Sequence, residues 1–248
     1  MILFVLEGER PDLKIYKSMM EVCGVSADCI SVVYGCNIDA LYREMINLGE
    51  GADLVSILRE KYKDSPNNPF AGITRSEQFS EIYLLFDYDF HDVNRSPEVL
   101  NEQLSYLLSF FCEETEHGKL YVNYPMIESI RYTKELPDKD YCDYTVSREE
   151  CRDFKRLSSK FSFYPNMDFV LRGSLESRSL NWDLLKKQNV AKANLICNGD
   201  SSFPPLDRNS ISQIQILDKQ ISCFESLPDC RVSVLSSYPL LLFDWLGR

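Results

Sequence analysis

Asp87 and Asp89 follow directly on an unbroken apolar run, Ile82-Tyr83-Leu84-Leu85-Phe86. Residues two apart on an extended backbone point to the same side. The spacing therefore predicts that both carboxylates converge on one point, provided the chain stays extended. Carboxylates that close repel one another, and without a cation at least one takes up a proton. A hard divalent ion, Mg²⁺ or Mn²⁺, relieves that repulsion and keeps open positions for phosphate and water. Such a site activates water or stabilises charge building on a phosphoryl group. A solvated turn or a helix N-cap is the competing use of an Asp-x-Asp pair. Glu7, followed by Gly8, stands in the same relation to Ile2–Leu6, and Glu128 follows the apolar run Leu120–Tyr124.

These acids need a scaffold that brings strand ends together. Short apolar runs at 2–6, 30–34, 81–86 and 120–124 read as strands. Helical spacing of apolar residues marks 12–23, 38–48, 52–62 and 97–117, with Pro11 suited to a first helical turn. Residues 63–80, with Pro66, Pro69 and Gly72, read as loop. This alternation predicts an α/β domain over residues 1–130, a mainly parallel sheet with helices on both faces. In such sheets ligands collect beyond the carboxyl ends of the strands, where Glu7, Asp87, Asp89 and Glu128 would share one edge. Residues 131–248 read as a helical part. A loop at 131–145 is followed by helices at 147–161, 181–197, 209–225 and 232–246, the first opening with the capping-box sequence Ser147-Arg148-Glu149-Glu150.

Composition narrows the function classes. The 248 residues are 44% hydrophobic and 26% charged, which suits a globular chain with a real core. No run approaches a membrane span, and the apolar start is too short for a signal peptide, so a cytoplasmic location is expected. Nine Cys lack any CxxC spacing and only two His occur. Zinc is therefore not expected, and the thiols read as free and buried in a reducing compartment. Walker A, GxGxxG, GxSxG and HExxH motifs are absent. The net charge is −11, and residues 1–129 hold 10 Lys and Arg against 22 Asp and Glu. Clustered acid suits a hard cation better than tight nucleic-acid binding, which draws on Lys and Arg. Basic residues at Arg148, Arg152, Lys155, Arg156 and Lys160 fall on one face if 147–161 is one helix. That stripe would grip phosphates or be a solvated face with local ion pairs, and Lys192 is a further basic candidate. The aromatic residues read as core.

The order Glu7-Gly8-Glu9, Asp87-Tyr88-Asp89 and Pro125-Met126-Ile127-Glu128 resembles the Toprim pattern of topoisomerases, bacterial primases and OLD-family nucleases. Within that group it is most similar to small RloB-like Toprim effectors of bacterial anti-phage systems. The resemblance covers residues 1 to about 130. It implies a Mg²⁺-dependent nuclease acting as a toxic effector on RNA, including tRNA, or on DNA. Glu7 would be the general acid/base or a metal ligand, Asp87 and Asp89 would hold Mg²⁺ (or Mn²⁺), and Glu128 would complete the site. His91 and Asp92 depart from the pattern and would compete as ligands or cap the next turn. The alternative is a non-catalytic subunit that docks on a larger ATPase sensor. Self-association is left open.

Overall fold

The computed structural model describes residues 1–25, 28–49, 52–92, 94–226 and 230–246, with side chains described for all of these except 223–226 and 246. A five-stranded sheet has the order β2-β1-β3-β5-β4. Its members are β1 (Ile2–Leu6), β2 (Cys29–Val33), β3 (Glu81–Asp87), β4 (Cys112–Glu113) and β5 (Gly118–Asn123). The first three pairings are parallel, and only the short edge strand β4 runs antiparallel to β5. The central strands β1, β3 and β5 are almost wholly buried, as a sheet covered on both faces requires.

The connecting helices are α1 (Pro11–Cys23), α2 (Ile38–Leu48), α3 (Leu54–Tyr62) and α4 (Pro97–Phe110). Pro11 opens α1, and Gly24 closes it in the left-handed conformation with φ 63°. Asp53 accepts from Val55 N–H at the start of α3, and Ser96 accepts from Val99 N–H at the start of α4. The helix expected to run to His117 stops at Phe110. Phe111 is buried, its carbonyl accepts from Leu120 N–H, and Glu114 O accepts from Ile82 N–H. The sheet claims this backbone, so helical periodicity in the sequence loses to strand pairing.

The second half contains α5 (Arg148–Cys151), α6 (Phe154–Phe161), α7 (Asp168–Leu171), α8 (Leu175–Asn198), α9 (Gln213–Ser226) and α10 (Ser237–Leu246). It also carries a ribbon of β6 (Thr145–Ser147) and β7 (Arg231–Ser233). Two expectations are corrected here. Residues 147–161 form two helices, because Asp153 leaves the helical region at φ −125°, ψ 29°. Residues 232–246 begin as strand β7 and turn helical only from Ser237. The capping box at Ser147 is present, with Glu150 reaching back to Ser147 N–H at 2.7 Å.

The halves share one hydrophobic core, in which Phe4, Leu84 and Val122 of the sheet pack in the same cluster as Trp182, Leu185 and Leu241. Helix α8 packs on α1 and α10, and α10 packs on β5. The eight cysteines with described side chains are free, but only Cys151 is fully buried, and Cys36 and Cys112 are exposed. Cys223 lies outside the described side chains. No helix among the described residues is long and apolar enough to cross a membrane.

Candidate functional site

The parallel register brings the carboxyl ends of β1, β3 and β5 together. Leu6 pairs with Leu85, and Asp87 pairs with Asn123. Glu7, one residue beyond β1, turns its carboxylate across to β3, where Oε2 accepts the backbone N–H of Asp87 at 2.7 Å. Asn123 Nδ2 donates to Asp87 Oδ1 at 3.0 Å. Glu7 and Asp87 thus sit side by side at the centre of the edge, each fixed through one oxygen.

The site is braced from the C-terminal half. Asn123 is fully buried, and its Oδ1 accepts from the backbone N–H and the hydroxyl of Ser237 at 2.9 and 2.8 Å. Ser236 N–H in turn donates to Asn189 Oδ1 of α8 at 2.9 Å, and that oxygen also accepts from Tyr141 Oη. A continuous polar chain therefore runs from α8 through the start of α10 to Asp87. Sequence reasoning missed these residues. Their signal was weak: Asn123 ends a strand, and Ser236-Ser237 interrupts an apolar run.

Asp12 was also missed as a site residue. It is 4% exposed on the first turn of α1. Tyr238 Oη of α10 lies 3.4 Å from its Oδ1 and donates to its backbone carbonyl at 3.3 Å. A Cβ on Gly8 would stand 2.8 Å from Asp12 Oδ2. The glycine after Glu7 thus lets a second carboxylate close in behind the first, and a larger residue there would push the Asp12 carboxylate aside.

Asp89 departs from the expected geometry. The strand ends at Asp87, and Asp89 adopts φ 53°. The chain does not stay extended, so Asp89 is not placed by strand alternation. Tyr88 and Phe90 bury their rings on either side and stack, with centroids 5.1 Å apart. That packing accompanies the turn. Asp89 instead lines a cavity of about 400 Å³ with Asn37, His91, Asp92 and Asn94. Asp92 caps the turn, its Oδ1 accepting from Asn94 N–H. His91 Nδ1 is buried without a partner among the described residues.

Glu128 sits in a 3-10 turn, Ile127–Arg131, and is 6% exposed. It faces Asp12 closely enough to push that carboxyl upward, and its charge favours the protonated guanidinium of Arg131 against the lowering that burial causes. The basic residues do not gather at this edge. Arg148 turns inward and donates to the carbonyls of Phe90, Asp92 and Arg95. Arg156 pairs with Asp153. Lys155 and Lys160 are exposed on α6, whereas Arg152 is exposed in the turn between α5 and α6. Lys192 is fully buried and donates to the carbonyls of Tyr141 and Tyr144 at 2.9 and 2.6 Å. It is bound up in the fold rather than reaching toward the carboxylates.

Burial and mutual repulsion hold the carboxyls toward the neutral form. Burial first, then the charges of Asp89 and Asp12, push Glu7 up to about 8. Burial and Glu128 push Asp12 up to about 7. Asp87 lies well above the usual carboxylate range, through burial and the charges of Glu7, Asp12 and Asp89. Asp89 is raised by burial, against the opposing effects of His91, Asn37 and Arg95. The donor set is entirely carboxylate oxygen, the chemistry that suits Mg²⁺ or Mn²⁺. Among the described residues, however, no three Asp, Glu, His or Cys side chains are already gathered at ligand spacing. In comparisons with known proteins, no family model matches the chain, and neither a curated protein nor a solved structure matches it.

Proposed function

We propose that this edge binds Mg²⁺ or Mn²⁺ and that the chain is a metal-dependent nuclease, a toxic effector of the kind the Toprim resemblance implies. One observation carries the reading. Glu7 and Asp87 are locked together at the carboxyl ends of neighbouring parallel strands, with Asp12 tucked behind Gly8. A stability-driven fold has little reason to crowd acids there.

Asp87 and Asp89 would hold the ion, with Glu7 as a shared ligand or as the proton acceptor. A divalent cation, when bound, supplies compensating charge to the carboxylates and to the phosphoryl oxygens of a substrate. Glu7 takes the proton of the attacking water or hydroxyl at its outer oxygen, while its inner oxygen stays on Asp87 N–H. Its elevated affinity for protons suits acid–base work near neutral pH. Asp12 and Glu128 form a second acidic pair beside it, and Asn123 keeps Asp87 from rotating away.

The test incubates the purified chain with tRNA, single-stranded RNA and plasmid DNA, in Mg²⁺, Mn²⁺ or EDTA, against Glu7→Gln. The Gln side chain retains an oxygen for Asp87 N–H but loses the charge. Cleavage that needs the cation and falls at least about a hundredfold in Glu7→Gln is expected, the scale of losing a general base. Metal-independent cleavage, or equal cleavage by both proteins, would refute the assignment. A second reading is a non-catalytic subunit docking on a larger ATPase sensor. The net charge of −11 and the scattering of the anticipated basic stripe favour it. Absence of cleavage on every substrate would move it ahead.

A further inference from the structure

Positive charge gathers at a place other than the anticipated stripe. A cavity of about 460 Å³ opens between α1 and the segment leading into α7, and Lys14, Arg131 and Arg172 line it, with Asp168. Two of the elements that carry acids of the carboxylate site also supply this cavity's lining. Helix α1 carries Asp12 and, two residues on, Lys14. The turn Ile127–Arg131 carries Glu128 at one end and Arg131 at the other.

The charge here is only partly cancelled, with Glu128 acting on Arg131 through space. Arg131 is 8% exposed and spends its guanidinium on neutral acceptors: Ser158 Oγ at 3.0 Å, Pro165 O at 2.5 Å and Lys155 O at 2.7 Å. Among the described residues neither Arg131 nor Lys14 forms an ion pair. Arg172 pairs with Asp168 at 3.1 Å, but its side chain remains 79% exposed. A fixed guanidinium with two exposed cations beside it is an arrangement that attracts an anion. A cavity of similar size beside the start of β5 makes the contrast. There Lys119 is neutralised by Asp244 at 3.1 Å, and Glu113 and Glu114 add further negative charge.

A second feature points to the kind of anion. Phe163 is 73% exposed, although most aromatic side chains of this protein are buried. It stands outside the cavity lining but lies two residues before Pro165, which is part of it, and its ring meets Tyr164 edge-on at 5.1 Å. A cationic groove next to an exposed aromatic ring is how unpaired nucleic-acid strands are held: phosphates on the charges, a base on the ring.

We propose that this groove is a binding site for single-stranded nucleic acid, in which Lys14, Arg131 and Arg172 hold a backbone phosphate and Phe163 stacks a base. The proposal rests on the nuclease reading for its substrate, but binding can be measured without catalysis.

The experiment is fluorescence anisotropy of a labelled oligoribonucleotide and the matching oligodeoxynucleotide, in EDTA, over a range of salt concentrations. The proteins are wild type, Lys14→Ala/Arg172→Ala, Phe163→Ala, and Lys63→Ala as a control for loss of an exposed lysine already paired with Glu60. Arg131 is kept, because its three bonds hold the fold together. Circular dichroism checks that each variant is folded. The double variant is expected to weaken binding about tenfold or more and to reduce the slope of log affinity against log salt by roughly 1.4, two phosphate charges on a single strand. Phe163→Ala should weaken binding severalfold with the slope unchanged, and Lys63→Ala should match wild type. The stronger-bound oligonucleotide identifies RNA or DNA as the strand. Wild-type affinity and slope in the double variant would overturn the groove, as would no binding by wild type at low salt. Cleavage of the same strands in Mg²⁺ separates the two ideas. Binding with no Glu7-dependent cleavage leaves the groove standing and removes the nuclease, and the reverse removes the groove alone.

Discussion

Glu7 and Lys192 are both charged residues forced into apolar surroundings, and they respond oppositely. Burial raises the proton affinity of Glu7 and lowers that of Lys192, whose ammonium is pushed down to about 7. Lys192 donates to two carbonyls, which also accept from Tyr144 N–H and Val234 N–H, so it ties α8 to the turn around Tyr141. Its signature is a pH dependence. From about pH 7 to its ordinary value near 10.5 the unfolded chain holds this proton and the folded chain does not. Stability therefore rises with pH over that window, by at most about 1.4 kcal/mol per pH unit. Denaturant melts of wild type and Lys192→Met at about pH 7 and pH 9 should diverge by about 1–2 kcal/mol in favour of wild type at the higher pH. Parallel curves would mean that Lys192 keeps its proton throughout. Oligonucleotide affinity should be the same in both proteins, since Lys192 has no route to solvent. In the sequence its neighbours, Asn189 and Asn194, mark a polar patch, but burial depends on contacts 50 residues away that no local pattern contains.

The loop from β3 to α4 depends on an element far along the chain. Arg148, the first residue of α5, reaches back to three carbonyls between Phe90 and Arg95, so it staples the segment that carries Asp89. Replacing Arg148 with Met leaves those carbonyls without their donor while keeping much of the apolar stem. The expected cost is about 1–3 kcal/mol in denaturant melts. Cleavage should fall as well, because Asp89 loses its support, whereas single-strand binding at the Lys14–Arg172 groove should persist. Unchanged stability would show that the loop holds itself. This is also where the sequence was misleading. The helical spacing of Arg148, Arg152, Lys155, Arg156 and Lys160 is real, but Asp153 breaks the helix, and tertiary contacts redirect Arg148. The strands were legible because buried central strands must be continuous apolar runs. The β6–β7 ribbon was not, since three-residue strands paired across 86 positions leave no periodicity.

At the scale of the whole molecule, the acids at the sheet edge oppose folding unless something neutralises them. Glu7 and Asp12 have folded values of about 8 and 7, against ordinary values of 4.5 and 3.8. Between those limits the native state binds more protons than the unfolded chain. Stability from these groups is therefore greatest at low pH and is lost as pH rises from about 4 toward 8. General repulsion in a chain of net charge −11 acts in the same direction, so wild type alone does not isolate the site. Comparison with Glu7→Gln does, because the rest of the surface titrates identically in both. In EDTA, Glu7→Gln should melt near wild type at about pH 5 and above it at pH 8. Discounting for the partial exposure of Glu7, the gain is about 1–2 kcal/mol, or roughly 2–8 °C for a chain of this size. A divalent ion that binds this edge must displace those protons, so its affinity should climb over the same interval. Excess Mg²⁺ or Mn²⁺ should then raise the melting temperature of wild type at pH 8, do little at pH 5, and do less for Glu7→Gln at either. A cation effect that is equal at the two pH values, or equal in the two proteins, would place the ion elsewhere on the acidic surface. The crowding of Glu7, Asp12 and Asp87 would then be a cost of the fold with no ion to offset it.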